Sequence, residues 1–357
     1  MNLGIFLGIG ESLKQMEKSG QKDRFISLYL AKYAKDFDKV YLFSYENESC
    51  SLPANVFIVS KKSSIHRYLY SLLIPIISHK QVNNCDIIRG FGLTSAVPAL
   101  LTSKPFIFNW PYNYIEFLKI EKKYFLISIY YVLEKIAFMR AKIVLVATKQ
   151  KLNNLTGDKF IYLPNGVDLA VFKSKGTLGK GIVFIGRLEK QKNLIFLLDA
   201  VSKLPRKLRL ITFFGSGSQE PILKEYAILK KVSLNIQSPV NNVELPRVLR
   251  KFSIFALPSL AEGNPKVLLE AMATGLVPVV TNFITAREVV KNSQNGFITN
   301  YETIEFSNKL KMLSENSELG KKMSRNAVRT ISENFNIDKL IAKEVSLIKD
   351  AALAKII

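Results

Sequence analysis

Short apolar runs alternate with helical patterns along this chain, and the alternation starts twice. In the first half the apolar runs are Leu3–Gly8, Val40–Ser44, Val56–Val59, Asp86–Arg89, Phe106–Phe108 and Ile143–Ala147. Helical patterns over Arg24–Lys35, Ser64–Ser78, Ser95–Leu101 and Tyr124–Arg140 separate them. In the second half the runs are Ile182–Ile185, Leu208–Phe213, Val232–Ile236, Ile254–Leu257 and Val277–Val280, with helical patterns over Leu194–Lys203, Pro221–Lys230, Val243–Lys251, Lys266–Thr274 and Thr303–Ser314. Strands alternating with helices in this way form parallel sheets covered on both faces. The Gly-rich stretch Gly176–Gly181 suits a linker or turn before the restart. The expected fold class is α/β, with two Rossmann-like domains facing a central cleft, a common place for a ligand. The expected divisions are 1–163, 164–335 and a helical last segment, 336–357.

Charge narrows the partners. Lys and Arg number 51 against 29 acids, a formal net charge of +22 over 357 residues. The excess divides into about +10 before residue 164 and +12 after it, so no single basic tail accounts for it. Such a field attracts nucleic acid, an anionic membrane or phosphorylated substrates. No zinc finger, RRM or other nucleic-acid module is visible, which sets nucleic acid aside. Cys50, Cys85, His66 and His79 are the complete Cys and His set. They argue against a zinc site or disulfide framework and suit a reducing compartment. The apolar start Met1–Gly8 is short for a signal peptide and lacks a basic n-region, and it reads as a first buried strand. The greasiest stretch, Tyr124–Met139, is interrupted by Glu134 and Lys135 and falls short of the roughly 18–20 apolar residues of a membrane span. The expected location is cytoplasmic, including a peripheral place on the inner face of the membrane.

Chemistry concentrates in the second half. Pro258-Ser259-Leu260-Ala261-Glu262-Gly263-Asn264-Pro265 follows an apolar run and leads into the helical Lys266-Val267-Leu268-Leu269-Glu270-Ala271. Amides at such a helix start, with the positive end of the dipole, suit a phosphate. Glu262 in the loop and Glu270 one turn into the helix can flank one ligand and accept from sugar hydroxyls. Glu270 stands among apolar residues, where a charge is costly without a partner. Ile185-Gly186-Arg187-Leu188-Glu189-Lys190-Gln191-Lys192-Asn193 also follows a run and opens a helix. Arg187 offers a planar fork and Lys192 a point charge, enough to neutralise a diphosphate. Weaker phosphate turns are Phe214-Gly215-Ser216-Gly217, which lacks a third glycine in register, and Ser19-Gly20-Gln21, which taken alone reads as an ordinary helix entry.

These segments together resemble the group-one (family four) GT-B glycosyltransferases. Tyr162–Asp168 with Phe172 is similar to that family's interdomain crossing, Ile185–Asn193 to its GRL-xxx-K segment, and Glu262 and Glu270 to its E-x7-E motif, in a context ending at Gly275. Val277–Val280, Arg287–Val290 and Asn295-Gly296-Phe297 continue the likeness, which runs from Leu163 to about Phe335 and is only topological before that. The resemblance implies a retaining, metal-independent transferase with no cofactor, the nucleotide sugar being co-substrate. Arg187 and Lys192 would hold the leaving diphosphate, Glu262 would contact the donor sugar, and Glu270 would bind the ribose. The segment Gly263 to Leu268, through Asn264, Pro265, Lys266 and Val267, would with its backbone N–H groups (Pro265 has none) complete a donor site with Gly186, Gly215, Ser19 and Gly20. The C-terminal helix would pack back on the N-terminal domain. Heterolysis of a sugar–phosphate bond needs leaving-group stabilisation, and an Arg/Lys clamp with a helix start supplies it.

Two departures concern specificity. Where many members of the family place a His, this chain reads Asn109-Trp110-Pro111, making Asn109 and Trp110 the acceptor-side candidates. Ile236–Val240 lacks the Gly usual in the family's base-contacting loop. Between Lys61 and Lys142, 12 basic residues stand against 4 acids. Tyr68, Tyr70, Trp110, Tyr112, Tyr114, Phe117, Tyr124, Phe125, Tyr130 and Tyr131 are interleaved with them. The stretches His66–His79 and Ile120–Arg140 fit either core helices or interfacial helices with basic rims. The expected function is transfer of a sugar from a nucleotide-sugar donor to a glycan or lipid-linked acceptor, in cell-surface polysaccharide or glycoconjugate synthesis. The alternatives are a catalytically silent sugar-nucleotide-binding protein and another GT-B enzyme, an epimerase or phosphorylase.

Overall fold

A computed structural model describes residues 1–353 except 19, 112, 113 and 121, and omits the side chains of 116, 117 and 120. The chain divides into two compact units: Met1–Pro164 together with the segment from Lys339 onward, and Asn165–Asp338.

The first unit holds seven strands: β1 (Asn2–Phe6), β2 (Lys39–Phe43), β3 (Val56–Val59), β4 (Ile87–Gly90), β5 (Phe106–Trp110), β6 (Ile143–Val146) and β7 (Phe160–Tyr162). They form one parallel sheet in the order β3-β2-β1-β4-β5-β6-β7. The second unit repeats the plan with β8 (Ile182–Ile185), β9 (Leu210–Phe214), β10 (Ser233–Gln237), β11 (Ile254–Leu257), β12 (Val277–Thr281) and β13 (Phe297–Thr299), in the order β10-β9-β8-β11-β12-β13. Central strands are apolar on both faces because helices cover both: every residue of β6, β8 and β11 is buried. The edge strand β10 instead alternates exposed and half-buried residues.

Several elements escape the sequence pattern. Strands β7 and β13 and the helix Leu13–Lys18 were not expected. The expected helix Arg24–Lys35 starts at Lys22, passes through a π-helical turn at Ile26–Leu30 and ends at Asp36. The Gly176–Gly181 stretch is a turn into β8 inside the second unit. The Lys180 N–H donates to the Lys251 carbonyl at 2.9 Å, and a Cβ on Gly179 would come within 2.2 Å of the Lys251 backbone.

The last helix, Ile337–Leu353, belongs from Lys339 onward to the first unit. Ile341, Glu344, Val345, Ile348 and Ala351 lie on one buried face, at helical spacing. Glu344 meets Arg89 of β4 at 2.5 Å, both side chains 3% exposed, and Lys349 pairs with Asp36 at 3.0 Å.

Candidate active site

In each sheet the strand order reverses at one point, and loops leaving the carboxyl ends there diverge to opposite sides and leave a crevice. In the second unit the reversal lies between β8 and β11. Their ladder pairs only Ile254 with Ile182 and Phe255 with Val183, so the carboxyl halves of the two strands part. The loop after β8 carries Gly186, Arg187 and Lys192; the loop after β11 carries Glu262 to Pro265.

The structure brings these two loops into contact. Lys192 Nζ lies 2.5 Å from Glu262 Oε1, with the side chains 15% and 9% exposed. The Ser259 hydroxyl donates to the same Glu262 oxygen at 2.6 Å. Gln191 fastens the loops with both ends: its carboxamide donates to the Ala261 carbonyl at 2.7 Å, and its own carbonyl accepts from Leu260 N–H at 2.9 Å. Behind Glu262, Thr281 and Tyr301 donate to the Ser259 carbonyl at 2.8 and 3.1 Å, Thr285 to the Glu262 carbonyl at 3.2 Å, and Asn165 to the Asn264 carbonyl at 2.7 Å. Burial pushes the Tyr301 phenol up, which suits its role as a donor. A loop held at this many points presents its side chains in one geometry.

Arg187 is exposed on the β8 loop, unlike Lys192. Glu189 beside it is tied to Ser218 by the hydroxyl at 2.6 Å and the backbone N–H at 3.0 Å, and these bonds hold its carboxyl below the usual range. The neighbouring loop after β9 lies directly against the β8 loop. Gly186 N–H donates to Phe214 C=O and Leu188 N–H to Ser216 C=O. A Cβ on Gly215 would fall 1.9 Å from the Gly186 carbonyl oxygen, and one on Gly217 would fall 2.4 Å from that of Leu188. The glycines of Phe214–Gly217 therefore serve close backbone approach.

The helix Lys266–Ala273 starts beside Glu262. Its first backbone bonds run from the Leu268 and Leu269 amides to the Pro265 carbonyl. The amides ahead of them have no carbonyl within the helix, as at any helix start. Lys266 is exposed, Val267 half-buried, and Asn264 and Pro265 buried. Glu270 is 3% exposed within this helix. The helix closes at Gly275 (φ +99°), where Leu276 N–H reaches back to Ala271 C=O.

The remaining candidates belong to the first unit. Ser19 lies outside the described residues. Gly20 ends the helix Leu13–Lys18: at φ +67° it donates to Glu17 C=O, while Gln21 N–H donates to Met16 C=O. The segment thus closes one helix and, through Gln21, enters the next at Lys22, as an ordinary helix entry does, and the bonds engage both amides. Asn109 Oδ1 accepts from Gly92 N–H at 2.8 Å and Arg89 Nη1 at 3.1 Å. Trp110 is buried, its indole N–H donates to Glu134 at 2.9 Å, and Lys151 lies 4.8 Å over its ring. Burial raises the Glu134 carboxyl, and the Trp110 bond only partly opposes that.

Sequence reasoning missed the supports around Glu262. Ser259 and Gln191 stood inside the segments singled out for their charges and glycines, and Asn165 inside the one singled out by its resemblance to the interdomain crossing. Tyr301 gave no signal, since it reaches the site from beyond β13.

Residues 173–330 match the family described as glycosyl transferases group 1. Over 221 residues the chain is 30% identical to the UDP-Gal:alpha-D-GlcNAc-diphosphoundecaprenol alpha-1,3-galactosyltransferase of Escherichia coli, a match covering 55% of this chain and 56% of that protein. The chain thus spans about half the length of the curated relatives it matches. Among solved structures, a sucrose-phosphate synthase from Thermosynechococcus elongatus superposes with a TM-score of 0.80 at 13% identity, over 98% of both chains. HepE of Anabaena, in complex with UDP and glucose, superposes with a TM-score of 0.74 at 14% identity, over 98% of this chain and 100% of that one. The fold is accordingly that of the GT-B glycosyltransferases, and the stretch 173–330 is similar to the group 1 glycosyltransferases.

Proposed function

We propose that this protein is a retaining glycosyltransferase that moves a sugar from a nucleotide-sugar donor to a glycan or lipid-linked acceptor, in the assembly of a cell-surface polysaccharide or glycoconjugate. The observation that carries the reading is the Lys192–Glu262 contact at the strand reversal of the second unit, with Arg187 exposed on the same loop as Lys192. The donor's C1–O bond breaks with its electron pair going to the diphosphate, the acceptor hydroxyl bonds to C1 on the face the diphosphate leaves, and the hydroxyl proton passes to the departing diphosphate oxygen. Negative charge grows on the diphosphate in that step, and Arg187, Lys192 and the amides before Leu268 are the groups to meet it. Glu262, held by Ser259 and Lys192, orients the sugar and steadies positive character at C1. Glu270 takes the ribose.

A UDP-sugar is the first donor class to test, because the Escherichia coli relative and HepE are named with UDP. The lipid-linked acceptor draws on the diphosphoundecaprenol in that relative's name. Among the described residues no helix is long and apolar enough to cross a membrane, and the net charge of +22 favours peripheral attachment to an anionic one. The Arg/Lys clamp carries the positive charge at the diphosphate, so no divalent metal is required. The test is a mass-spectrometric screen of nucleotide sugars for binding, then donor turnover with and without EDTA. Binding and EDTA-insensitive turnover are expected. Failure to bind any nucleotide sugar overturns the donor site, and activity restored only by magnesium or manganese overturns metal independence.

A further inference from the structure

The helix Ile127–Arg140 is apolar nearly all round, a composition that in a globular protein belongs to the interior. Here one side is left open. Phe125, Ile129, Val132, Ile136 and Met139, spaced 4, 3, 4 and 3 residues apart, form a ridge exposed at 78, 62, 55, 39 and 69%. The helix Arg67–Ile77 repeats the arrangement: Leu69, Leu72 and Ile76 are 52, 48 and 69% exposed, while Tyr70, Ser71 and Ile74 face inward. Both helices pack against the short helix Ala96–Leu100 between them. Tyr70, Ile74, Ala96, Ala99 and Ala137 share one core cluster, which puts all three helices on the same face of the first sheet. The two ridges therefore lie on one side of this unit, with exposed Leu101 at the end of the middle helix. Scattered exposed apolar residues need no explanation, but two periodic ridges side by side do.

Charge selects the occupant. The single acid of the two outer helices, Glu134, is turned to the Trp110 indole, whereas Arg67, Lys122, Lys123, Lys135 and Arg140 are exposed around the ridges. Tyr68, Tyr124 and Tyr131 add exposed rings with polar tips, as at a membrane–water interface. A second copy of the chain would set one basic rim against another in a two-fold pairing. An anionic bilayer answers both the apolar ridges and their rim.

We infer that the ridges of Tyr124–Arg140 and Arg67–Ile77 form a membrane-embedding face that inserts into an anionic lipid surface, with the basic rim at the headgroups. This deepens the peripheral-membrane reading above: attachment is by apolar insertion as well as charge, and so outlasts salt. The test is vesicle flotation of the full chain without nucleotide sugar, so its failure is separate from failure of the donor site. Vesicles of phosphatidylcholine with phosphatidylglycerol are compared with phosphatidylcholine alone, at low salt and at about 0.5 M salt, where screening acts within about 4 Å. Expected is preference for the anionic vesicles, with binding partly kept at high salt. Ile129→Ser/Ile136→Ser should lower the partition coefficient at least about tenfold with an unchanged melting temperature. Leu72→Ser/Ile76→Ser is the second pair should the first fold poorly. Wild-type binding by both folded double variants, or full release by salt, overturns insertion and leaves attachment by charge alone. No flotation on any vesicle, or a dimer in sedimentation velocity that the variants dissociate, overturns the membrane face.

Discussion

Replacing Glu344 by alanine strips the partner from a buried cation. Arg89 and Glu344 are each 3% exposed and meet at 2.5 Å, joining β4 to the last helix. Burial works against the charge on Arg89, and the Glu344 carboxylate, together with the oxygens of Tyr33 and Tyr29, more than offsets it, so the guanidinium ends above its ordinary pKa. In Glu344→Ala the guanidinium keeps the Gly90 carbonyl, Asn109 at 3.1 Å and the Phe91 ring at 4.2 Å, and none of them is an anion. Breaking one side of a buried pair costs about 3–5 kcal/mol. In a unit of this size each kcal/mol moves Tm by about 2–4 °C, so a fall of about 6–20 °C is expected. The assay is calorimetry of the full chain, in which the transition of the first unit should move and that of the second should not. Arg89→Met/Glu344→Met should recover most of the loss, because an apolar pair of similar volume leaves no buried charge unpaired. A Glu344→Ala protein melting within about 2 °C of wild type would show that water or a rearranged partner already satisfies Arg89, and would refute the argument.

Arg187→Ala and Lys192→Ala should each lower transfer about a hundredfold, roughly 3 kcal/mol of transition-state stabilisation, and Arg187→Lys should restore only part because an ammonium lacks the fork; steady-state kinetics on folded proteins decides. Glu262→Gln should cut turnover more than donor affinity, whereas Glu270→Ala should weaken nucleotide binding by calorimetry; equal effects on both quantities in both variants would contradict the division of roles. Gly215→Ala places a Cβ 1.9 Å from the Gly186 carbonyl oxygen, so a loss of about 1–3 kcal/mol in stability and weaker donor binding should appear together. Glu134 binds its proton more tightly folded than unfolded because burial raises its pKa. Its contribution to stability therefore falls as pH rises from the ordinary carboxylate range through the raised value. Glu134→Gln should gain on wild type across that interval and stay level above it, as read from urea midpoints against pH.

The strands that form the middle of each sheet were legible because burial on both faces leaves a continuous apolar run, as in Ile143–Val146 and Ile254–Leu257. Three-residue β7 and β13 at the sheet edges were not, since three residues carry too little pattern to separate a strand from a turn. The charges of the site could be read from local order: a strand, a loop with Arg187 and Lys192 or with Glu262, then a helix. Their meeting could not. Lys192 reaches Glu262 across 70 residues of chain because β11 crosses back to lie beside β8, and Tyr301 arrives because β13 completes that side of the sheet. Gly20 shows the limit of local reading: its segment closes the helix Leu13–Lys18 as well as entering the one at Lys22, and only the hydrogen bonds show the first of these. The stretches His66–His79 and Ile120–Arg140 show it again: apolar composition was plain, but core and surface share that composition. Burial is a property of neighbours, and here the neighbours cover Tyr70, Ile74 and Ala137 while leaving Ile76, Ile129 and Met139 to the outside. Composition and local order thus determined the fold class and the loops on which the charged residues stand. The crossing of distant strands decided which charges meet, and helix packing decided which apolar residues remain uncovered.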